Sequence, residues 1–341
     1  MSYRSRLRHA ASQHTLFRGG SEQTQRNRLQ LCGPLWDFLI LYGIKVAHIR
    51  DTPLWAIDLF IQTRLAEGMK PGHARNTTSA IRVLLHEAGC GTVNTACSNA
   101  ALGVPRRDRG GARRAYTTGE FALTIERAHL VDEGLAHLIS LMYYLGLRSI
   151  EALRCVRYLA DWLALLEAGA SELQFEHGAK TNRPRRIEIV DPLRAETLRA
   201  IRSALAYCNA HNGWLISGRK NKTLKSARHR LRTTLRAAGL MGRLSSHALR
   251  YAYAVNLALS LLKKNVSPEE TLDRVSASLG HGPRAQMILN TYLGEIRERF
   301  ASVVIPRSKP RNPARTRRER HLPGPLRATR SNRSMQFRRK H

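Results

Sequence analysis

Residues 245–250, SSHALR, set His247 and Arg250 three positions apart at the start of LRYAYAVNLALSLL, a run with the length and Ala/Leu content of a buried helix. Ser245 or Ser246 suits the N-cap. Positions i and i+3 share one helix face, and the backbone N–H groups of a helix start favour an anion. The pair is therefore placed to handle a phosphate. Alone, H-x-x-R reads more readily as the polar end of a capped core helix, so its meaning depends on other residues able to join the same chemistry. Arg148 follows an apolar helix that stops at Gly146. Lys180 lies in a turn of GAKTNRPRRIEI, ahead of a strand-like segment at 186–190. His281 follows Gly280, and Tyr292 is the only tyrosine after Tyr253. Planar guanidinium groups can hold two phosphate oxygens and stabilise added charge. A phenol with a base and cations beside it can attack phosphorus and form a covalent intermediate.

Taken in chain order, Arg148 in YYLGLRSIEAL, Lys180, His247-x-x-Arg250, the Gly280-His281 pair and Tyr292 give a pattern that resembles the tyrosine recombinases. These are the phage-integrase family of site-specific DNA recombinases. By motifs the resemblance covers roughly residues 116–300, and it reaches the N-terminal third only through architecture. It implies catalytic roles for Arg148, Lys180, His247, Arg250, His281 and Tyr292, with Glu151 steadying Arg148. Tyr292 would attack the phosphodiester and leave a 3′-phosphotyrosyl bond, with His247 as base and Lys180 protonating the departing 5′ oxygen. His281 would hydrogen-bond a phosphate oxygen. Arg183 lies only three residues beyond Lys180, so which basic residue acts as the acid stays open. The covalent bond conserves the energy of the broken diester, so rejoining needs no ATP, and neither metal nor cofactor is implied. Three features depart from the family pattern. Tyr251 stands where many relatives have histidine, the gap from His247 to His281 is longer than in compact members, and Tyr292 lies farther past His281 than is usual.

Lys plus Arg number 57 against 25 Asp plus Glu, a formal net charge of +32. Such a field attracts polyanions, and double-stranded DNA is the expected partner. Five cysteines without C-x-x-C spacing indicate neither a disulfide framework nor a zinc site, which fits a reducing cytoplasm. No secretory signal or membrane span is read, since no run of about 18 apolar residues occurs. The N-terminal composition has a mild transit-peptide look, but a basic arm reads better.

The elements that must position these residues are mostly helical. Residues 1–25 read as a basic mobile arm and 26–104 as a helical domain, with helices near 28–42, 53–67 and 73–87. By the resemblance, this is a core-binding (SAM-like) domain forming one half of a clamp around DNA. Residues 105–115 form a linker with five arginines; Arg106, Arg107, Arg113 and Arg114 are expected on a phosphate backbone. Residues 116–305 form a mixed α/β, mainly helical catalytic domain with a small β-hairpin around Lys180. Helices are expected at 118–128, 135–145 and 149–166, and a helix opened by Pro283 should carry Tyr292. Arg183, Arg185 and Arg186 add charge beside the hairpin. A later helix turns Leu224, Leu231 and Leu235 inward and Lys225, Arg228, Arg232 and Arg236 outward, fitting a DNA groove as well as a solvated face. Residues 306–341 hold thirteen Lys/Arg against one acid, a composition expected to stay disordered.

The expectation is a bacterial, cytoplasmic, nucleoid-associated integrase of a mobile element. It would act as a homotetramer on two DNA sites, with accessory DNA-bending or directionality proteins. Two readings stand beside it: a non-catalytic basic DNA-binding protein of the same fold, and a type IB topoisomerase-like relaxer.

Overall fold

Apolar residues recurring every three or four positions make nearly every element of this chain a helix. The computed structural model describes residues 3–18 (side chains to residue 14), 20–106, 114–176, 184–218 and 222–303. It divides into two compact units, Met1–Ala112 and Arg113–His341.

The first unit contains α1 (Tyr3–Arg18), α2 (Glu22–Leu41), α3 (Leu54–Ala66), α4 (Pro71–Glu87) and the single turn α5 (Val93–Ala96). Its core joins Leu35 and Leu39 of α2, Ile57 and Ile61 of α3, and Ile81 and Leu85 of α4, all fully buried. Each such side chain contributes about 1.5–3 kcal/mol relative to exposure. The segment expected as a mobile arm is helical and packed. Leu7 and Ala11 are buried in this core, and the Tyr3 hydroxyl donates to the Val46 carbonyl while accepting from the Val46 amide. The stripe Tyr3, Leu7, Ala11 repeats every four residues, and intervening arginines disguise it. Ser21 caps α2 by accepting from the Thr24 amide, so that helix starts ahead of the expected residue 28.

The second unit runs α6 (Thr118–Val131), α7 (Glu133–Leu145), α8 (Ser149–Arg154), α9 (Leu159–Glu167), β1 (Glu172–Phe175), β2 (Arg185–Glu188), α10 (Arg194–Ala210), α11 (Leu224–Ala237), α12 (Ser246–Lys263), α13 (Pro268–Ser278) and α14 (Ala285–Thr291). Thr117 and Glu120 close a capping box on α6. Asp132 caps α7, and Ser267 caps α13 through the Glu270 amide. The expected α7 stripe of Leu135, Leu138, Ile139, Met142 and Leu145 is buried. It packs against α12, which is buried along almost its whole length. Gly146 ends α7 at φ +58°, and the Tyr253 ring of α12 occupies the space a β-carbon would need.

Strands β1 and β2 pair antiparallel, Leu173 opposite Ile187 and Phe175 opposite Arg185. The expected helix at 149–166 is broken between α8 and α9 by a tighter turn, Cys155–Tyr158. The break brings Tyr158 and Trp162 against Phe175, with the Trp162 indole donating to the Gln174 carbonyl. Ser245 takes the N-cap position of α12 without its hydroxyl capping the helix. Pro283 lies outside α14, and Tyr292 stands at its C-terminal cap rather than on the helix. Among the described residues no helix is long and apolar enough to cross a membrane.

Candidate active site

Two helix ends meet beside the hairpin, and their chemistry dictates what gathers there. The last carbonyls of a helix lack intrahelical partners and carry partial negative charge. Gly146 at the end of α7 and Ser278 and Leu279 at the end of α13 present such carbonyls to one place. Three arginines answer them. Arg250 donates to the carbonyls of Gly146 and Leu279. Arg148 donates to Leu279 at 3.3 Å. Arg185 donates to Ser278 at 2.5 Å and to Gly146 at 3.5 Å.

Glu151 stands at the centre, fully buried one turn into α8. Its Oε1 accepts from Arg148 Nη1 at 2.6 Å and its Oε2 from Arg185 Nη2 at 2.9 Å, while Arg250 Nη1 lies 3.9 Å from Oε2. Oε2 also accepts the Arg148 amide at 2.9 Å, fixing the start of α8. Burial pushes the Glu151 carboxyl up, but Arg185, Arg148 and Arg250 outweigh it and hold it below its ordinary value. Three cations share one carboxylate, so two positive charges stay uncompensated in a water-poor place. Burial, reinforced by Arg185 and Arg148, lowers Arg250 to about 9. The Nε groups of Arg250 and Arg185 are buried without a hydrogen-bond partner among the described residues. Such a donor costs about 1–3 kcal/mol until something accepts from it. Excess positive charge and unspent donors together suit an anion.

Tyr292 covers this site. Its side chain is 4% exposed, and its ring lies 5.9 Å from the Arg250 guanidinium carbon and 4.7 Å from the Tyr251 ring. Its hydroxyl is 3.0 Å from His281 Nε2. Burial, with Arg250 and Arg148 nearby, lowers His281 to about 3, so it is neutral at pH 7 and able to share the phenol proton. His247 is exposed at the start of α12, its ring centroid 6.1 Å from that of Tyr292. Five of the six expected catalytic residues, Arg148, His247, Arg250, His281 and Tyr292, therefore surround one site with Glu151 beneath. Lys180 and Arg183 lie outside the described residues.

Of the expected DNA-contacting residues, Arg228 and Arg232 of α11 line a cleft of about 390 Å³ with Arg148, Ser149, Ser246 and His247. Lys225 is exposed on the same helix. Arg114 is tied to the Glu120 carboxylate, with Nη1 to Oε2 at 2.6 Å. Arg106 is exposed, and Arg107 and Arg113 lie outside the described residues. Arg185, expected only as charge beside the hairpin, has a side chain 1% exposed. Strand alternation carried the signal, because Arg185 shares its face with the buried Ile187.

Residues 103–256 match the family model described as Integrase. A comparison with curated proteins finds no match. Among solved structures, the chain is similar to the Tn1549 transposon integrase in complex with a circular intermediate DNA. That similarity has TM-score 0.52 and 13% identity, over 84% of this chain and 94% of that one. It is similar also to the same integrase with transposon right end DNA, at TM-score 0.50 and 14% identity over 87% and 99%. A lambda integrase dimer bound to a COC′ core site gives TM-score 0.50 and 18% identity over 84% and 97%. At these identities the structures show a shared fold, that of the tyrosine recombinases, mostly helical with one small hairpin. The fold expected from the resemblance is borne out, and the family match overlaps the stretch that carries the motifs.

Proposed function

From the premise that residues 103–256 carry an integrase-family domain in a tyrosine-recombinase fold, we propose that this protein is a site-specific DNA recombinase. It breaks and rejoins strands through a 3′-phosphotyrosyl intermediate. The observation that supports this most is the Arg148–Arg185–Arg250 cluster around Glu151, with surplus positive charge, unspent donors and the Tyr292 hydroxyl at its edge.

A scissile phosphate entering from the Arg228–Arg232 cleft meets Arg148 first, since that side chain is 20% exposed while Arg250 is sealed. Binding shifts Tyr292 off the Arg250 guanidinium, whose Nε and remaining N–H bonds then take the second non-bridging oxygen. The Tyr292 oxygen attacks phosphorus as its proton passes to His247, and the bond to the 5′ oxygen breaks as Lys180 protonates it. His281, released from the phenol, donates to a phosphate oxygen. Attack by a 5′-hydroxyl of a second strand reverses these steps and frees Tyr292. The similar structures hold DNA, one as a dimer on a core site, which supports action by several copies, a homotetramer on two duplexes. Mobility of a genetic element is the role proposed for that reaction.

The test uses nicked duplexes tiled across the DNA flanking the protein's own gene. A nick beside the cleavage point lets the short 5′ product diffuse away, so a denaturation-resistant protein–DNA adduct accumulates. Adduct on a discrete site is expected. Tight binding with no adduct on any duplex would favour the non-catalytic DNA-binding reading, and supercoil relaxation without site preference the topoisomerase-like one.

A further inference from the structure

We infer that Arg185 is a positioning residue for the phosphate pocket: by occupying Glu151 Oε2 it keeps Arg250 off that carboxylate and available to an anion. The inference rests on the recombinase reading for the identity of the anion and on the geometry alone for the rest.

Glu151 has two oxygens and three cationic neighbours. Arg148 holds Oε1 at 2.6 Å, Arg185 holds Oε2 at 2.9 Å, and Arg250 stands back at 3.9 Å. An Arg250 free to close that gap would form a paired, buried ion bond and spend its fork on Glu151. Arg185 prevents this by satisfying Oε2 first, and it adds the positive charge that leaves the cluster short of an anion. Its own position is over-determined. It donates to the last carbonyls of α7 and α13, and its guanidinium carbon lies 5.9 Å from the Phe175 ring centroid. A β-carbon on Gly280, at φ +66°, would come within 3.0 Å of its Cδ. Arg185 opens β2, so the same side chain ties the start of that strand to the helix ends that form the pocket floor. Neighbouring Arg186 points the other way, 70% exposed, with Glu172 as its partner at 3.3 Å.

The experiment measures inorganic phosphate binding to the full chain from the rise of melting temperature with phosphate. It compares wild type with Arg185→Met, Arg185→Lys, Arg186→Met and the double variant Arg185→Met/Glu151→Gln. Arg185→Met should weaken phosphate binding about tenfold or more, the scale of a lost contact to a charged group. Arg186→Met, removing the same charge from the same strand, should change it less than about twofold. The double variant restores the cluster's charge balance and should recover most of the loss, a recovery that a merely structural Arg185 would not show. Unchanged phosphate binding by Arg185→Met, or a double variant no better than the single, overturns the inference. Should Met not be tolerated, Arg185→Lys decides. It keeps the charge but reaches fewer acceptors, so severalfold weaker binding is expected and unchanged binding overturns the inference. Adduct formation separates the two levels of the argument. Phosphate bound through Arg185 with no adduct on any flanking duplex removes the recombinase reading alone. Adduct formed equally fast by wild type and Arg185→Met removes the Arg185 inference alone.

Discussion

At the residue scale, two titratable groups of the site resist protonation in the folded chain, and both tie stability to pH. Glu151 is held below its ordinary value by three arginines. Its contribution is full above the unfolded carboxyl value of about 4.3 and is lost as pH falls below it. His281 is lowered to about 3, so from an unfolded value of about 6.5 downward the unfolded chain binds a proton that the native chain refuses. Melting temperature should therefore fall from about pH 6.5, and His281→Asn should flatten the upper part of that fall while leaving the part near pH 4. Glu151→Ala leaves buried arginines without their counter-ion and should cost about 3–5 kcal/mol in urea unfolding. Much of this site is legible in sequence because its motifs are local: H-x-x-R lies on one helix, and Arg148 and Glu151 are three residues apart. Arg185 is legible only as a residue on the face of Ile187; its partners are two helix ends converging from distant parts of the chain, which no window of sequence records.

The elements matter here through their ends. Gly146 stops α7 at a positive φ, turns its carbonyl to Arg250 and makes room for the Tyr253 ring. Gly146→Ala would add left-handed strain of about 1–2 kcal/mol and overpacking against that ring of about 1–3 kcal/mol. Gly169→Ala, at φ +92° with open space around it, carries the backbone cost alone. Comparing the two in urea unfolding isolates the packing part, and equal losses would mean the Tyr253 contact contributes little. On α11, Arg228 and Arg232 face the cleft beside Arg148. Replacing either with Ala should weaken binding to all DNA sequences alike and reduce the salt-dependence slope by about one. Helix periodicity made most element positions readable, with misses where composition hid it. The stripe of α1 is sparse among arginines. The tight turn between α8 and α9 answers to aromatic packing on β1 rather than to a local breaker residue.

For the whole molecule, the proposed recombinase divides its tasks: a net charge of +32 would set its reach toward DNA, and a few buried groups its chemistry. Removing residues 306–341, with thirteen cations and one acid, should lower affinity for every sequence alike and leave site preference intact. A gel-shift series against salt with specific and random duplexes checks this, and selective loss of specific binding would make that segment a reader of bases. Charge alone cannot separate a recombinase from a basic binder, because both would show the same salt dependence. Tyr292 can. Tyr292→Phe keeps the ring between Tyr251 and Arg250 and removes one hydroxyl contact, so stability should change by about 1 kcal/mol or less. The most direct measurement digests the adduct formed on a nicked flanking duplex and locates the attached nucleotide by mass spectrometry. A 3′-phosphonucleotide on the Tyr292 hydroxyl, absent from Tyr292→Phe, is the predicted result. Adduct retained by Tyr292→Phe, or mapped to any other residue, would contradict it.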